Sequence, residues 1–109
     1  MAGRMDTLTR LEQVIAERSS ADPDSSYVAK LNARGVPVIA RKLGEEAVEA
    51  VVAALAEDRG ELVGEAADVI FHLMVLLQAK GVALEEVMAE LDRREGVSGL
   101  VEKASRSAE

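Results

Sequence analysis

Ile39-Ala40-Arg41-Lys42-Leu43-Gly44-Glu45-Glu46-Ala47-Val48-Glu49-Ala50-Val51 is the stretch that decides the fold, and Glu65-Ala66-Ala67-Asp68 answers it with 15 residues between Glu49 and Glu65. Both patterns put two carboxylates three residues apart inside segments of helical period, so each pair shares one helix face. On a wheel of about 100° per residue the apolar arc of the first segment runs from Ile39 through Ala50, Leu43, Ala54 and Ala47 to Val51. Glu46 falls about 20° outside Ile39, against the core edge, and Glu49 and Lys42 follow just beyond. In the second segment Glu61, Glu65, Asp68 and His72 share a stripe about 60° wide. Leu76 and Val69 border it on one side and Val75 on the other. Acidic pairs on helices are commonly solvated faces, but acids wedged between aliphatic neighbours on two successive helices are less easily dismissed that way. Like charges at this spacing repel by roughly 0.2–0.5 kcal/mol per exposed pair, and apolar borders add desolvation. A hard divalent cation such as Mg²⁺ relieves both, because it prefers carboxylate oxygen and keeps some of its waters. Two helices side by side would assemble Glu46, Glu49, Glu65 and Asp68 into a four-carboxylate metal site.

Outward from this pair the chain reads as helices with almost no strand. A first helix is expected over about Thr7–Arg18, with Leu8, Leu11, Val14 and Ile15 on one side and Asp6 or Thr7 as its cap. Residues 19–26 form a polar loop with turn chemistry. Tyr27–Arg34 is a short helix ended by Gly35. A second long helix runs from Pro37, a good first-turn residue, to about Glu57, and Asp58-Arg59-Gly60 breaks the chain. A third runs from Glu61 to Lys80, stopped by Gly81. The last spans Leu84 to about Arg94, with Leu84, Val87, Met88 and Leu91 at heptad-like spacing. The expectation is an all-α bundle of four to five helices: a single domain over residues 1–94 and a polar C-terminal tail over 95–109.

Composition narrows the function. The chain has 109 residues, enough for one domain with a modest core. With one Phe, one Tyr and no Trp, that core is built from Ala, Val, Leu and Ile, which suits closely packed helices. A net charge of −7 repels nucleic acid and anionic membrane, so a phosphate-bearing substrate needs a metal ion or a local group of Lys and Arg. The absence of Cys excludes disulfides and thiolate ligands. The start lacks the apolar region of a signal peptide, and no run of about 18 apolar residues is read as a membrane span. The expected location is the cytoplasm.

Other chemistries fall away. A di-iron bundle wants Glu-x-x-His on two helices, yet His72 is the single histidine and Val69 precedes it by three. Zinc hydrolase sites need more histidines, and neither a phosphate-binding Walker loop nor a GxGxxG turn is present. His72 is instead a groove-edge residue or a donor to Asp68 one turn earlier.

Longer context supplies a resemblance. Glu-Glu-x-x-Glu, the spacer and Glu-x-x-Asp resemble the all-α nucleoside triphosphate pyrophosphohydrolases, which include MazG-like proteins and dimeric dUTPases. Ser25-Ser26-Tyr27-Val28-Ala29-Lys30-Leu31, Arg41 to Glu49, Glu65 to Leu77, and the ending Arg93-Arg94-Glu95-Gly96-Val97-Ser98-Gly99-Leu100 with Glu102-Lys103-Ala104-Ser105-Arg106 resemble the phosphoribosyl-ATP pyrophosphohydrolases. Val36-Pro37-Val38 departs from that pattern by being more apolar at the approach to the second long helix. The resemblance implies hydrolysis of phosphoribosyl-ATP to phosphoribosyl-AMP and pyrophosphate, the second step of histidine biosynthesis. It implies that Glu46, Glu49, Glu65 and Asp68 bind Mg²⁺, for which Mn²⁺ can substitute. Glu45 or Glu49 is the candidate to orient or deprotonate the attacking water, and the sequence does not choose between them. Lys30 and Lys42 are candidates for holding phosphate, as are Arg93 and Arg94, while Ser26 and Tyr27 are candidates for sugar or base contact or for a helix cap.

Two further readings compete. One is a nucleotide-pool pyrophosphatase of the same fold acting on free (deoxy)nucleoside triphosphates; the other is a helical assembly module whose acids are merely solvated. Val48, Val51, Val52 and Leu55 widen the apolar surface beyond one face, so a homodimer completing the bundle is expected. The tail, with Leu100 and Val101 as its apolar anchor and Arg93, Arg94, Lys103 and Arg106 as its cations, is read either as a lid over the substrate or as a strap pinned to the bundle.

Overall fold

In the computed structural model, which describes residues 4–56, 58–96 and 103–104, the chain is all-α. Five helices follow in order: α1 (Arg4–Arg18), α2 (Tyr27–Arg34), α3 (Val36–Ala56), α4 (Arg59–Ala79) and α5 (Leu84–Arg94). The tail beyond Gly96, and with it the lid-or-strap question, lies outside the described residues apart from Lys103 and Ala104.

α3 and α4 share the most extensive contact and form the central pair, with α1 against α4 and α2 against α3. Ile15, Val28, Leu31, Ile39, Met74, Val75 and Leu84 form the buried core, flanked by Leu8, Leu11, Phe71, Leu76, Ala79 and Met88. Every helix therefore contributes to one cluster, and the expected aliphatic make-up holds.

Helix ends follow their local chemistry, with small revisions. α1 starts three residues ahead of Thr7, so Asp6 and Thr7 fall inside it rather than capping it; nothing in Arg4-Met5 opposes helix. The Ser26 hydroxyl caps α2 by accepting the Ala29 N–H at 3.1 Å. Asp58 caps α4 by accepting the Glu61 N–H at 2.9 Å, which moves the start to Arg59. At the far end Val82 N–H reaches Leu77 O at 2.9 Å and Gly81 N–H reaches Gln78 O at 3.1 Å. With Gly81 at φ 71°, this is the left-handed closure that stops the helix.

The junction before α3 is the tightest in the chain. Gly35 alone separates α2 from α3, at φ 96° and ψ 167°. Its carbonyl accepts from Val38 and Ile39 while its own N–H reaches back to Leu31 and Asn32. Only glycine adopts this backbone without strain. The apolar Val36-Pro37-Val38 is thus the first turn of α3, not an approach loop.

α3 corrects the wheel analysis in one respect. Its buried residues are Ile39, Glu46 and Ala53, seven apart, so the buried line runs through Glu46 itself rather than beside it. Ala47, Ala54 and Val51, placed on the apolar arc, are exposed. The reason is that α4 and α2 cover one side of α3 and, among the described residues, nothing covers the other. α4 is long and apolar enough to cross a membrane by length and composition alone. It buries His72, Met74 and Val75 and carries Glu61, Glu65 and Asp68.

Candidate metal centre

The buried line of α3 brings Glu46, 9% exposed, against α4. Glu49, one turn on, and Glu65 of α4 complete a group in which one carboxylate oxygen from each residue lies within 4.8 Å of the other two. Three of the four expected ligands are thus assembled by the packing of two helices. Asp68 is exposed and lies outside that group, but its charge reaches it. Burial holds the Glu65 carboxyl above its usual range, and the charges of Glu49, Glu46 and Asp68 push it the same way.

The donor set fits a hard divalent cation. Glu65 Oε1 is buried without a hydrogen-bond partner, and an oxygen in that state carries a desolvation penalty that nothing in the chain offsets. A cation bound between three or four carboxylates would satisfy that oxygen and cancel the repulsion at once.

The cations nearby sit to one side. Lys42 Nζ lies 3.5 Å from Glu45 Oε1 and 3.9 Å from Glu46 Oε2, and Arg41 Nε lies 3.7 Å from Glu45 Oε2. These are loose contacts; the two to Glu45 are half-exposed and contribute little to stability. Glu45 therefore leans toward Arg41 and Lys42, whereas Glu49 belongs to the acid group. Glu49 also lines an open, mostly apolar groove with Arg41, Gly44, Glu45 and Val48.

The remaining expected residues are placed as follows. Lys30 is exposed on α2. Ser26 serves as the α2 cap, its hydroxyl also 3.4 Å from Arg18 O. Arg93 and Arg94 bind Glu90 on their own helix, at 2.7 and 2.8 Å. They hold the Glu90 carboxyl down to about 2, mainly through their hydrogen bonds.

His72 proves more integral than a groove-edge residue. It is 5% exposed; Nδ1 lies 2.7 Å from the Asp68 carbonyl and Nε2 lies 2.9 Å from the Tyr27 hydroxyl. A carbonyl only accepts, so Nδ1 carries the proton, and in the neutral ring Nε2 accepts from Tyr27. The i, i+4 spacing from Asp68 pointed to contact, but the partner is the backbone and not the carboxylate. The link to Tyr27, 45 residues away, has no sequence signal.

Facing carboxylates on two packed helices of an all-α domain define a class of proteins built around a divalent cation. The chain belongs to the phosphoribosyl-ATP pyrophosphohydrolase family, whose sequence pattern matches residues 8–95. It is 68% identical to a phosphoribosyl-ATP pyrophosphatase of Erythrobacter litoralis, over 94% of this chain and 98% of that one. It is equally identical to that of Novosphingobium aromaticivorans, over 94% and 95%, and 60% identical to that of Dinoroseobacter shibae, over 94% and 100%.

Proposed function

We propose that this chain is a hydrolase of histidine biosynthesis that uses Mg²⁺, with Mn²⁺ as a substitute, to cleave phosphoribosyl-ATP into phosphoribosyl-AMP and pyrophosphate. The observation that carries the cation requirement is the Glu46–Glu49–Glu65 group with its unpartnered buried oxygen. Family membership and the names of the relatives carry the substrate.

In this reading Glu46, Glu49, Glu65 and Asp68 hold the cation, which when bound neutralises phosphate oxygens and polarises the phosphorus under attack. Glu46 is held by burial on the α3 core line and Glu65 is partly buried on the facing helix, so these two are positioned before substrate arrives. Glu49 is the better placed of the two candidates to orient or deprotonate water, because Glu45 leans to Arg41 and Lys42. Lys42, and with it Lys30, Arg93 and Arg94, supplies positive charge for phosphate. A net charge of −7 argues against a nucleic-acid partner and an anionic membrane surface, and we place the protein in the cytoplasm.

We also propose a homodimer. Val48, Val51, Val52 and Leu55 of α3, and Leu62, Val63, Ile70 and Leu73 of α4, are exposed. These flank the acid group on the two central helices, and a second copy would cover them.

The deciding assay measures pyrophosphate release from phosphoribosyl-ATP beside ATP and dUTP. The expected result is cleavage between the α and β phosphates, with much slower turnover of the free triphosphates. Equal rates on all three would transfer the assignment to a nucleotide-pool pyrophosphatase, and release of orthophosphate would overturn both readings.

A further inference from the structure

The chain contains one Tyr, one Phe, one His and no Trp, and the structure gathers all three rings in one place. Tyr27 stacks on Phe71 with centroids 6.0 Å apart and planes 21° from parallel. His72 meets both edge-on, at 5.8 Å from Tyr27 and 5.2 Å from Phe71. Phe71 is half-buried and His72 buried, yet Tyr27 remains 48% exposed. Its hydroxyl is engaged and one face rests on Phe71, so what it offers to solvent is ring. The anchoring is direct: Tyr27 bonds His72, and His72 bonds the backbone of Asp68, the acid one turn earlier on α4.

We propose that Tyr27 is a stacking platform for the purine base of the substrate and that His72 is the positioning residue that holds it there. The inference rests on the pyrophosphohydrolase reading and names the part of the site that reads the base. The carboxylates can hold phosphate oxygens through a cation but have nothing to offer an aromatic base; the chain's aromatic surface is tied through His72 to the backbone of Asp68, whose charge reaches the three-acid group. An aromatic ring fixed by packing on one face and by its hydroxyl loses little freedom when a base stacks on the other, which favours binding. In a core otherwise made of aliphatic residues, a half-exposed tyrosine whose hydroxyl is tied to a buried histidine is an expensive ornament unless its free face is used.

The single tyrosine makes the test clean. Its ring protons are followed by NMR while AMP, or ribose 5-phosphate as the base-free control, is added to the intact protein in the presence of Mg²⁺. AMP is expected to shift the Tyr27 signals upfield and saturably, while ribose 5-phosphate leaves them in place. Equal behaviour of the two, or signals that move with protein dilution and not with AMP because a second copy covers the ring, overturns the proposal. This arm does not depend on turnover, so it stands apart from failure of the pyrophosphohydrolase assay itself. In kinetics, Tyr27→Leu is expected to raise KM for phosphoribosyl-ATP about tenfold, the loss falling mainly on KM. Tyr27→Phe, which keeps the ring, stays within about threefold. His72→Leu raises KM in the native background and adds nothing in the Tyr27→Leu background; equal losses in both backgrounds would mark His72 as merely structural and sink its positioning role.

Discussion

Glu12 Oε2 accepts the backbone N–H of Leu84 at 2.7 Å, joining the middle of α1 to the first turn of α5 across 72 residues of chain. Ala83 precedes that turn and has no side chain that can cap it, and the Ala83 N–H is taken by Glu86 at 3.0 Å. Glu12 therefore supplies from a distance the acceptor that α5 lacks locally, and its negative charge faces a helix N-terminus, where it is favoured. Glu12→Ala is expected to destabilise the fold by about 1–2 kcal/mol, because it strands a part-buried donor. Glu12→Gln, which keeps an oxygen, is expected to lose roughly half as much. Thermal denaturation at one fixed protein concentration measures both. An alanine variant as stable as the parent would show that the contact carries no weight.

The metal centre predicts opposite effects on activity and on metal-free stability. Glu65→Gln removes the acid that burial and three neighbouring carboxylates disfavour. Its melting temperature in EDTA is expected to rise by a few degrees, and the upward shift that Mg²⁺ gives the parent is expected to shrink or vanish. Activity is expected to fall roughly 10²–10³-fold, the scale of losing one preorganised electrostatic contact. Glu46→Gln, Glu49→Gln and Asp68→Asn should lose activity comparably with helicity intact. Full activity of the parent in EDTA would refute the cation requirement.

Glu90 gives a pH signature that is separate from the site. Its carboxyl lies at about 2 in the folded chain against an ordinary 4.5. The folded value is the lower one, so the stabilisation is complete above about 4.5 and is lost as pH falls toward about 2. The difference in melting temperature between parent and Glu90→Gln is expected to be constant near neutrality and to narrow across that acidic window. Glu90 is half-exposed, so the effect is small and weakens with added salt. A difference that widens on acidification would contradict the Arg93 and Arg94 pairing.

The uncovered side of the central helix pair predicts assembly. Leu55 is 83% exposed and Val63 is 63% exposed. Sedimentation at micromolar concentration is expected to give the mass of two chains for the parent. Leu55→Glu and Val63→Glu are expected to shift it toward one chain with little loss of helicity. A parent that sediments as a single chain would leave these residues without the partner proposed for them.

What the sequence made legible follows from the range of each interaction. Helix ends set by a residue and its near neighbours were readable: Gly35 after α2 and Gly81 after α4 act within a few positions. The acids of α3 and α4 were readable as a site because each pair sits on a periodic face, and periodicity survives without knowing which helix comes next. What was not readable is how one helix rotates against another. Glu46 sits on the buried line and not at its margin because α4 lies closest along Ile39, Glu46 and Ala53. Nothing in the sequence marks Glu12, since its partner Leu84 lies 72 residues away on another helix. The Tyr27–His72 bond was invisible for the same reason, joining two residues that share no period.

Gly35 also sets limits on how this architecture can drift. With a single residue between α2 and α3, the phase of Tyr27 relative to Glu46 is determined by residue count alone. Inserting one residue there would turn α2 by about 100° and displace it about 1.5 Å along its axis, carrying the tyrosine away from His72. The Ser19–Ser26 turn is held mostly by local hydrogen bonds, with only the long contacts of Asn32 to Ser19 O at 3.5 Å and Ser26 to Arg18 O at 3.4 Å closing it, so it can lengthen at a smaller cost. The joint therefore works as a ratchet tooth with one admissible setting, so length variation should be tolerated ahead of α2 and not behind it.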